Sequence, residues 1–174
     1  MNFLKKIYHF IGLGWSVFSY SRNPNDVGLT FRFADHLVGL GAYFHAQKLI
    51  ASDQKMQKFI RERKSLRKVE LASLLLLPEN SLGRIFAQHM IKNNLNPDFY
   101  PTLKIKKDED YIIQRMRSIH DVLHVLTGFD TSQEGELGIQ AFIMAQTASP
   151  FSMIVIGAVI FFTPFGKKGI PSAP

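Results

Sequence analysis

Nowhere in the 174 residues does the chain sustain the apolar–polar alternation of half-buried strands closed by hairpin turns. Its apolar residues recur at helical spacing, cut at short intervals by turn signals, so an all-α chain is expected. Asn23-Pro24-Asn25-Asp26 reads as a loop. A helix should follow from about Thr30 to Ala51, with Gly39 and Gly41 allowing close packing at some cost in helix propensity. A charged helix runs from about Asp53 to Lys64. Val69 to Leu77 continues helically and stops before Pro78, because proline pushes the preceding residue out of the helical region. Asn80 or Ser81 can cap a helix from Leu82 to Asn94. Asp108 should cap another, running to about Leu126 and stopped by Thr127-Gly128. Ser132 can cap the next, which reaches about Ala148 and carries Glu134 and Glu136 in its first turns, where the helix dipole favours acids. Phe165 to Pro174 is Gly/Pro-rich and should fray. A chain of this length suits one domain with a real core. The expectation is a single-domain helical bundle spanning 1–174, of about six to eight helices.

Charge narrows the partners. Lys and Arg number 21 against 14 acids, a net charge of +7, which favours an anionic partner. Lys55, Lys58, Arg61, Arg63, Lys64, Arg67 and Lys68 cluster around a single acid, Glu62, and Lys104, Lys106 and Lys107 form a second group. A solvated helix face is the plain reading. Between the functional ones a membrane surface is preferred to nucleic acid, because Phe59 is the one aromatic residue in the run and base stacking wants more. The absence of cysteine excludes disulfides, thiolate metal sites and a cysteine nucleophile. Met1 to Tyr20 carries Lys5 and Lys6 and then apolar and aromatic residues. His9, Gly12, Gly14 and Ser16 interrupt that run, and no small-x-small cleavage site precedes Arg22. Residues 1–25 are therefore a candidate interfacial segment rather than a signal peptide. Phe151 to Thr163 is strongly apolar but shorter than the roughly 20 residues that cross a bilayer. Bracketed by Pro150 and Pro164, it is either a core helix or a second interfacial segment.

The chemistry concentrates in His120-Asp121-Val122-Leu123-His124. At about 100° per residue, His120, Asp121 and His124 fall within roughly a quarter turn of the face that carries Arg117. Met116, Ile119, Leu123 and Leu126 form the apolar stripe beside it. Histidines four apart can each offer a ring nitrogen to one ion, and Asp121 can add an oxygen or orient a histidine from behind. Eleven residues separate His124 from Glu136, and the turn signals between them allow Glu136 to fold back onto the first helix. Two histidines, an aspartate and a glutamate suit zinc, and also iron or manganese. The plainer alternative makes Glu136 a helix-start acid, Asp121 the i, i+4 partner of Arg117, and the histidines structural. His36 and His45 read as core or surface histidines. Serine-nucleophile elbows, phosphate-binding glycine loops and dinucleotide fingerprints are absent.

These residues resemble the coenzyme Q biosynthesis protein 4 family, whose hallmark is His-Asp-x-x-His, eleven residues, then Glu: here His120, Asp121, His124 and Glu136. Leu77-Pro78-x-x-Ser81-Leu82-Gly83 resembles the family's Leu-Pro-x-x-Thr-Leu-Gly turn, and Tyr111 to Arg117 its Tyr-x-x-x-Arg-x-Arg approach. Gly135-Glu136 and Gln146 to Pro150 match later segments. The likeness is close from about Leu74 to Pro150 and general before that. Gln140 and Ile143 stand where the family often has Lys and Glu.

The resemblance implies an all-helical protein on a membrane face where quinones are built, with zinc or another divalent metal on the four motif residues. It also implies an isoprenoid or polyprenylated lipid as ligand and other quinone-biosynthesis proteins as partners; a homodimer is allowed. The leading reading is an enzyme of oxidative decarboxylation of the prenylated aromatic head group. His120, Asp121, His124 and Glu136 would be its catalytic metal site, and Arg117 a candidate for the anionic head. The alternative is a non-catalytic lipid-binding scaffold for the biosynthetic complex, with Lys58, Arg61 and Lys64 on the membrane. A metallohydrolase ranks last, since the Glu of His-Glu-x-x-His is missing. Ser and Arg are sparse before Arg22, so the expected place is cytoplasmic, on the inner face of a bacterial membrane.

Overall fold

A computed structural model describes residues 2–23, 26–43, 48, 52–64, 69–100 and 102–162. Among these residues eight α-helices are delimited and no strand occurs: α1 (Phe3–Arg22), α2 (Val27–Leu40), α3 (Gln54–Glu62), α4 (Leu71–Leu75), α5 (Leu82–Lys92), α6 (Asp108–Thr127), α7 (Gln133–Thr147) and α8 (Pro150–Phe162); Lys48 and Ser52 are helical as well. The fold is all-α, as the periodicity requires. Two compact units are present, one of residues 1–52 with 140–174, the other of residues 53–139.

In the first unit α1, α2 and α8 pack on one another. Phe33, Leu37 and Val155 are buried at their meeting point, with Leu13, Val17, Phe151 and Ile154 closing around them. α2 begins at its cap Asp26, whose carboxylate accepts from the Leu29 amide at 3.2 Å. It stops at Gly41, in the left-handed conformation at φ 70°, inside the span expected to run to Ala51, in which Lys48 is again helical. Gly41 is thus a helix stop, while Gly39 provides the close packing. The His9 ring lies so near Gly39, and the His36 ring so near Gly12, that any side chain at either glycine would overlap an imidazole. The two rings meet Nδ1 to Nδ1 at 3.2 Å. His36 is therefore an interhelical contact; His45 lies outside the described residues. Pro150 opens α8, and Ser149 Oγ accepts from the Ser152 amide at 3.3 Å. Ser152 is fully buried and donates its hydroxyl to Gln140 at 2.8 Å. α8 is half core: Val155 is buried, while Ile160 is 68% exposed.

α1 turns an unusual face outward. Phe3, Leu4, Tyr8, Phe10, Ile11 and Trp15 are each 64–73% exposed. At about 100° per residue they share an arc of roughly 160°. The opposite side, holding His9, Leu13 and Ser16, faces its neighbours.

In the second unit, α6 packs with α3 and α5, and α4 with α5. Phe86, Ala87, Met90, Tyr111, Leu123 and Ile139 are buried. α3 starts one residue after its cap, Asp53. Its charges are partly answered: Lys58 and Lys64 approach Glu62 at 3.9 and 3.2 Å. Arg63 meets Asp108 at 2.7 Å. Phe59 packs its ring 5.7 Å from Tyr111 with Arg115 above it, so it is no free stacking platform. Arg67 and Lys68 lie outside the described residues, as does the tail from Phe165. Ser81 caps α5 as expected. α6 departs from expectation in one detail: Asp108 is its first residue, not its cap. The capping carboxylate is that of Asp110, which accepts from the Lys106 and Lys107 amides at 2.8 and 3.0 Å, leaving Asp108 free to hold Arg63.

Candidate metal centre

α6 and the start of α7 bring three of the four motif residues together. One helical turn separates His120 from His124, which places their Nε2 atoms 3.3 Å apart. The chain must then reverse. Gly128, left-handed at φ 77°, ends α6. The turn carries the Phe129 carbonyl back to His124, where it accepts from Nδ1 at 3.0 Å. That bond fixes the ring: Nδ1 holds the proton, and Nε2 faces the site. Asp130 and Ser132 then start α7. Asp130 accepts from the Ser132 amide at 3.1 Å, and Ser132 Oγ accepts from the Gly135 amide at 3.1 Å. Gly135 lies so close to the Asp130 carbonyl that a Cβ there would overlap its oxygen. The next residue, Glu136, straddles both imidazoles, Oε2 at 3.2 Å from His120 Nε2 and Oε1 at 3.2 Å from His124 Nε2.

His120, His124 and Glu136 each offer a ligand atom, all within 4.8 Å of one another. Ligands about 2.0–2.1 Å from a tetrahedral ion stand about 3.3 Å from each other, so the observed spacings are those of three corners around a small cation. The donor set of two imidazoles and a carboxylate fits such an ion and leaves a fourth corner for another ligand. Asp121 is not in the triad. Its carboxylate is part-buried and acts through space on His120, His124 and His89.

The electrostatics follow from this crowding. Burial would raise the Glu136 carboxyl, but hydrogen bonds from His120 and His124 outweigh it and hold the group at about 2. Burial would likewise lower His124, yet Glu136, the Phe129 carbonyl and Asp121 raise it on balance. Asp121 is raised, by burial first and by Glu136 in addition, against the pull of both histidines. The Tyr100 ring stands 6.3 Å from His120. Burial, then Asp121 and Glu136, push its phenol well above the ordinary range, with Arg117 opposing, so it stays a neutral phenol. Arg117 thus borders the centre without being a metal ligand. His89 of α5 stacks on His124, ring centroids 5.8 Å apart at 17°. Its pKa is lowered by burial and by His124. Neither His89 nor Tyr100 was legible in the sequence: both arrive from elements more than fifteen residues away, at spacings that belong to no motif.

A model of the family described as coenzyme Q (ubiquinone) biosynthesis protein Coq4 matches residues 9–168. The chain belongs to the Coq4 family. Among its relatives is the mitochondrial ubiquinone biosynthesis protein coq4 of Aspergillus fumigatus (strain CBS 144.89 / FGSC A1163 / CEA10). It is 33% identical over 148 residues, 79% of this chain and 52% of that protein. The mitochondrial COQ4 homolog of Rattus norvegicus is 39% identical over 101 residues, 57% of this chain and 37% of that one. This Coq4 chain therefore spans about half or less of the length of these curated relatives. A crystal structure of a Nostoc punctiforme PCC 73102 protein assigned to ubiquinone biosynthesis superposes with a TM-score of 0.78 at 27% identity. The match covers 90% of this chain and 73% of that one. Family membership extends the resemblance read at Leu74 to Pro150 across nearly the whole chain.

Proposed function

We propose that this Coq4 chain is a metal-dependent, membrane-associated protein of prenylated-quinone biosynthesis. It binds an isoprenoid lipid and acts in oxidative decarboxylation of the lipid's aromatic head group. The observation that carries the proposal is the triangle of His120, His124 and Glu136, set in a chain of a ubiquinone-biosynthesis family. The three residues would hold a divalent metal, zinc by preference for this nitrogen and oxygen donor set. A metal there supplies Lewis-acid polarisation of a carboxylate or phenolate. The two electrons would leave to an oxidant such as dioxygen supplied from solution, and the chain's own residues bind and orient the head group. The Phe129 carbonyl fixes the His124 tautomer. Asp121, which acts through space on both imidazoles, would serve as an orienting group or a fourth ligand. Tyr100, kept neutral, can donate to an anionic oxygen, and Arg117 beside it remains the candidate for an anionic head.

Membrane attachment draws on α1. Its aromatic outer face, with Lys5, Lys6 and Arg22 and no acid in the helix, has the chemistry of a helix lying in an anionic lipid interface. The net +7 charge favours the anionic inner leaflet, in keeping with a cytoplasmic placement, although the relatives above are named mitochondrial. No described helix is long and apolar enough to cross a membrane.

The test is turnover of a prenylated hydroxybenzoate by the metal-loaded full chain. Head-group conversion that is lost in His124→Ala supports the enzyme. Lipid binding without conversion favours the scaffold, for which the exposed face of α1 also speaks. Full conversion and full metal content in His124→Ala would remove the enzyme reading.

A further inference from the structure

We infer that His89 is the hydrogen-bond donor that orients an anionic oxygen of the ligand at this centre, a role that rests on the metal reading above. The Asn93 side-chain nitrogen donates to the His89 carbonyl at 2.9 Å, which identifies that atom as the amide NH2. The same nitrogen stands 3.4 Å from His89 Nδ1, and an NH2 group can only donate. Nδ1 is therefore the acceptor, and the neutral ring carries its proton on Nε2. That N–H is shut off from solvent and has no hydrogen-bond partner among the described residues. Buried polar groups without partners are few in native proteins, and each calls for an explanation.

The surroundings supply one. His89 lies ring to ring with His124, and Asp121 bears on it through space. Neither takes the proton. A donor fixed beside a metal-ligating ring complements an oxygen that the cation also attracts. The two rings lie 5.8 Å apart, centroid to centroid, so His89 borders the same centre that His124 faces. A charged acceptor gains roughly twice what a neutral one does, so the matching ligand class is an aromatic carboxylate or phenolate rather than a ketone or alcohol. His89 thus selects for the charged head, while the triad holds the metal.

The experiment uses the full chain loaded with cobalt(II), whose visible absorption reports both metal uptake and binding of added benzoate. His89→Phe keeps the stacked ring and deletes the donor. It should hold cobalt within about twofold of the wild type yet bind benzoate about tenfold more weakly. His89→Gln, whose amide can still donate, should recover most of that loss. Benzyl alcohol, a neutral probe, should bind all three alike. Unchanged benzoate affinity in His89→Phe overturns the inference. So does a parallel loss of cobalt, which would make the ring a packing element. A wild type that takes up no cobalt would instead fail at the metal reading itself, a result distinct from either.

Discussion

His124 gives its Nδ1 proton to the Phe129 carbonyl and faces Glu136 with Nε2, so without metal the ring is held best as a cation. This makes stability depend on pH in a definite direction. Glu136 is lowered from 4.5 to about 2, so its contribution is complete above pH 4.5 and is lost as pH falls towards 2. His124 is raised from 6.5, so its contribution is complete below pH 6.5 and is lost as pH rises through the raised value. The metal-free chain should therefore be most stable between pH 4.5 and 6.5. Its melting temperature should fall by about 2–4 °C above that window, the shift that ~1 kcal/mol gives in a chain of this size. A divalent cation takes the place of the proton, so added metal should raise the melting temperature more at pH 8 than at pH 6. Melting curves across pH with and without metal check both limbs. At this scale the triad was legible because i, i+4 spacing and a following helix start are local features of the sequence. The split between Asp121 and the other three was not, because all four lie within one stretch of seventeen residues and only side-chain direction separates them. The partners His89 and Tyr100 were hidden by sequence distance.

Gly135 decides whether α7 can deliver Glu136. The α7 backbone meets the Asp130 carbonyl so closely that Gly135→Ala must push α7 away from the turn after α6. Overpacking of this kind costs about 1–3 kcal/mol. The displacement also moves the next residue, so metal affinity should fall about tenfold or more, by analogy with the loss of a supporting group around a metal ligand. Denaturant unfolding and cobalt titration of Gly135→Ala measure the two effects. A variant with wild-type affinity would show that α7 is positioned by something else. Most helices were legible, because caps such as Ser81 and stops such as Gly128 act on backbone groups a few residues away. The errors share a cause. By spacing Gly41 reads as a packing glycine inside a long helix, but its left-handed backbone ends α2. By position Asp108 reads as a cap, but Asp110 accepts the Lys106 and Lys107 amides and Arg63, 45 residues away, takes Asp108. Tertiary contacts settle such choices, and sequence spacing does not record them.

On the scale of the whole molecule, the outward aromatic face of α1 and the net positive charge point to an anionic lipid surface. Sedimentation with phosphatidylglycerol vesicles should pull the full chain down at low salt, with weaker binding as ionic strength rises. Replacing Phe10 and Trp15 together by Glu should cut that binding at least about tenfold while leaving helicity intact. Undiminished binding would shift the membrane contact to the basic run of α3, and a dimer that dissociates in the variant would make the face a subunit contact. The sequence offered both segments as membrane candidates. The pairing of Lys58 and Lys64 with Glu62, and of Arg63 with Asp108, favours α1. The central claim remains the cation held by His120, His124 and Glu136. Elemental analysis of the purified full chain beside Glu136→Gln and His120→Ala tests it most directly. About one divalent ion per wild-type chain, with little in either variant, is the predicted result; equal metal content in all three, or none in the wild type, would contradict it.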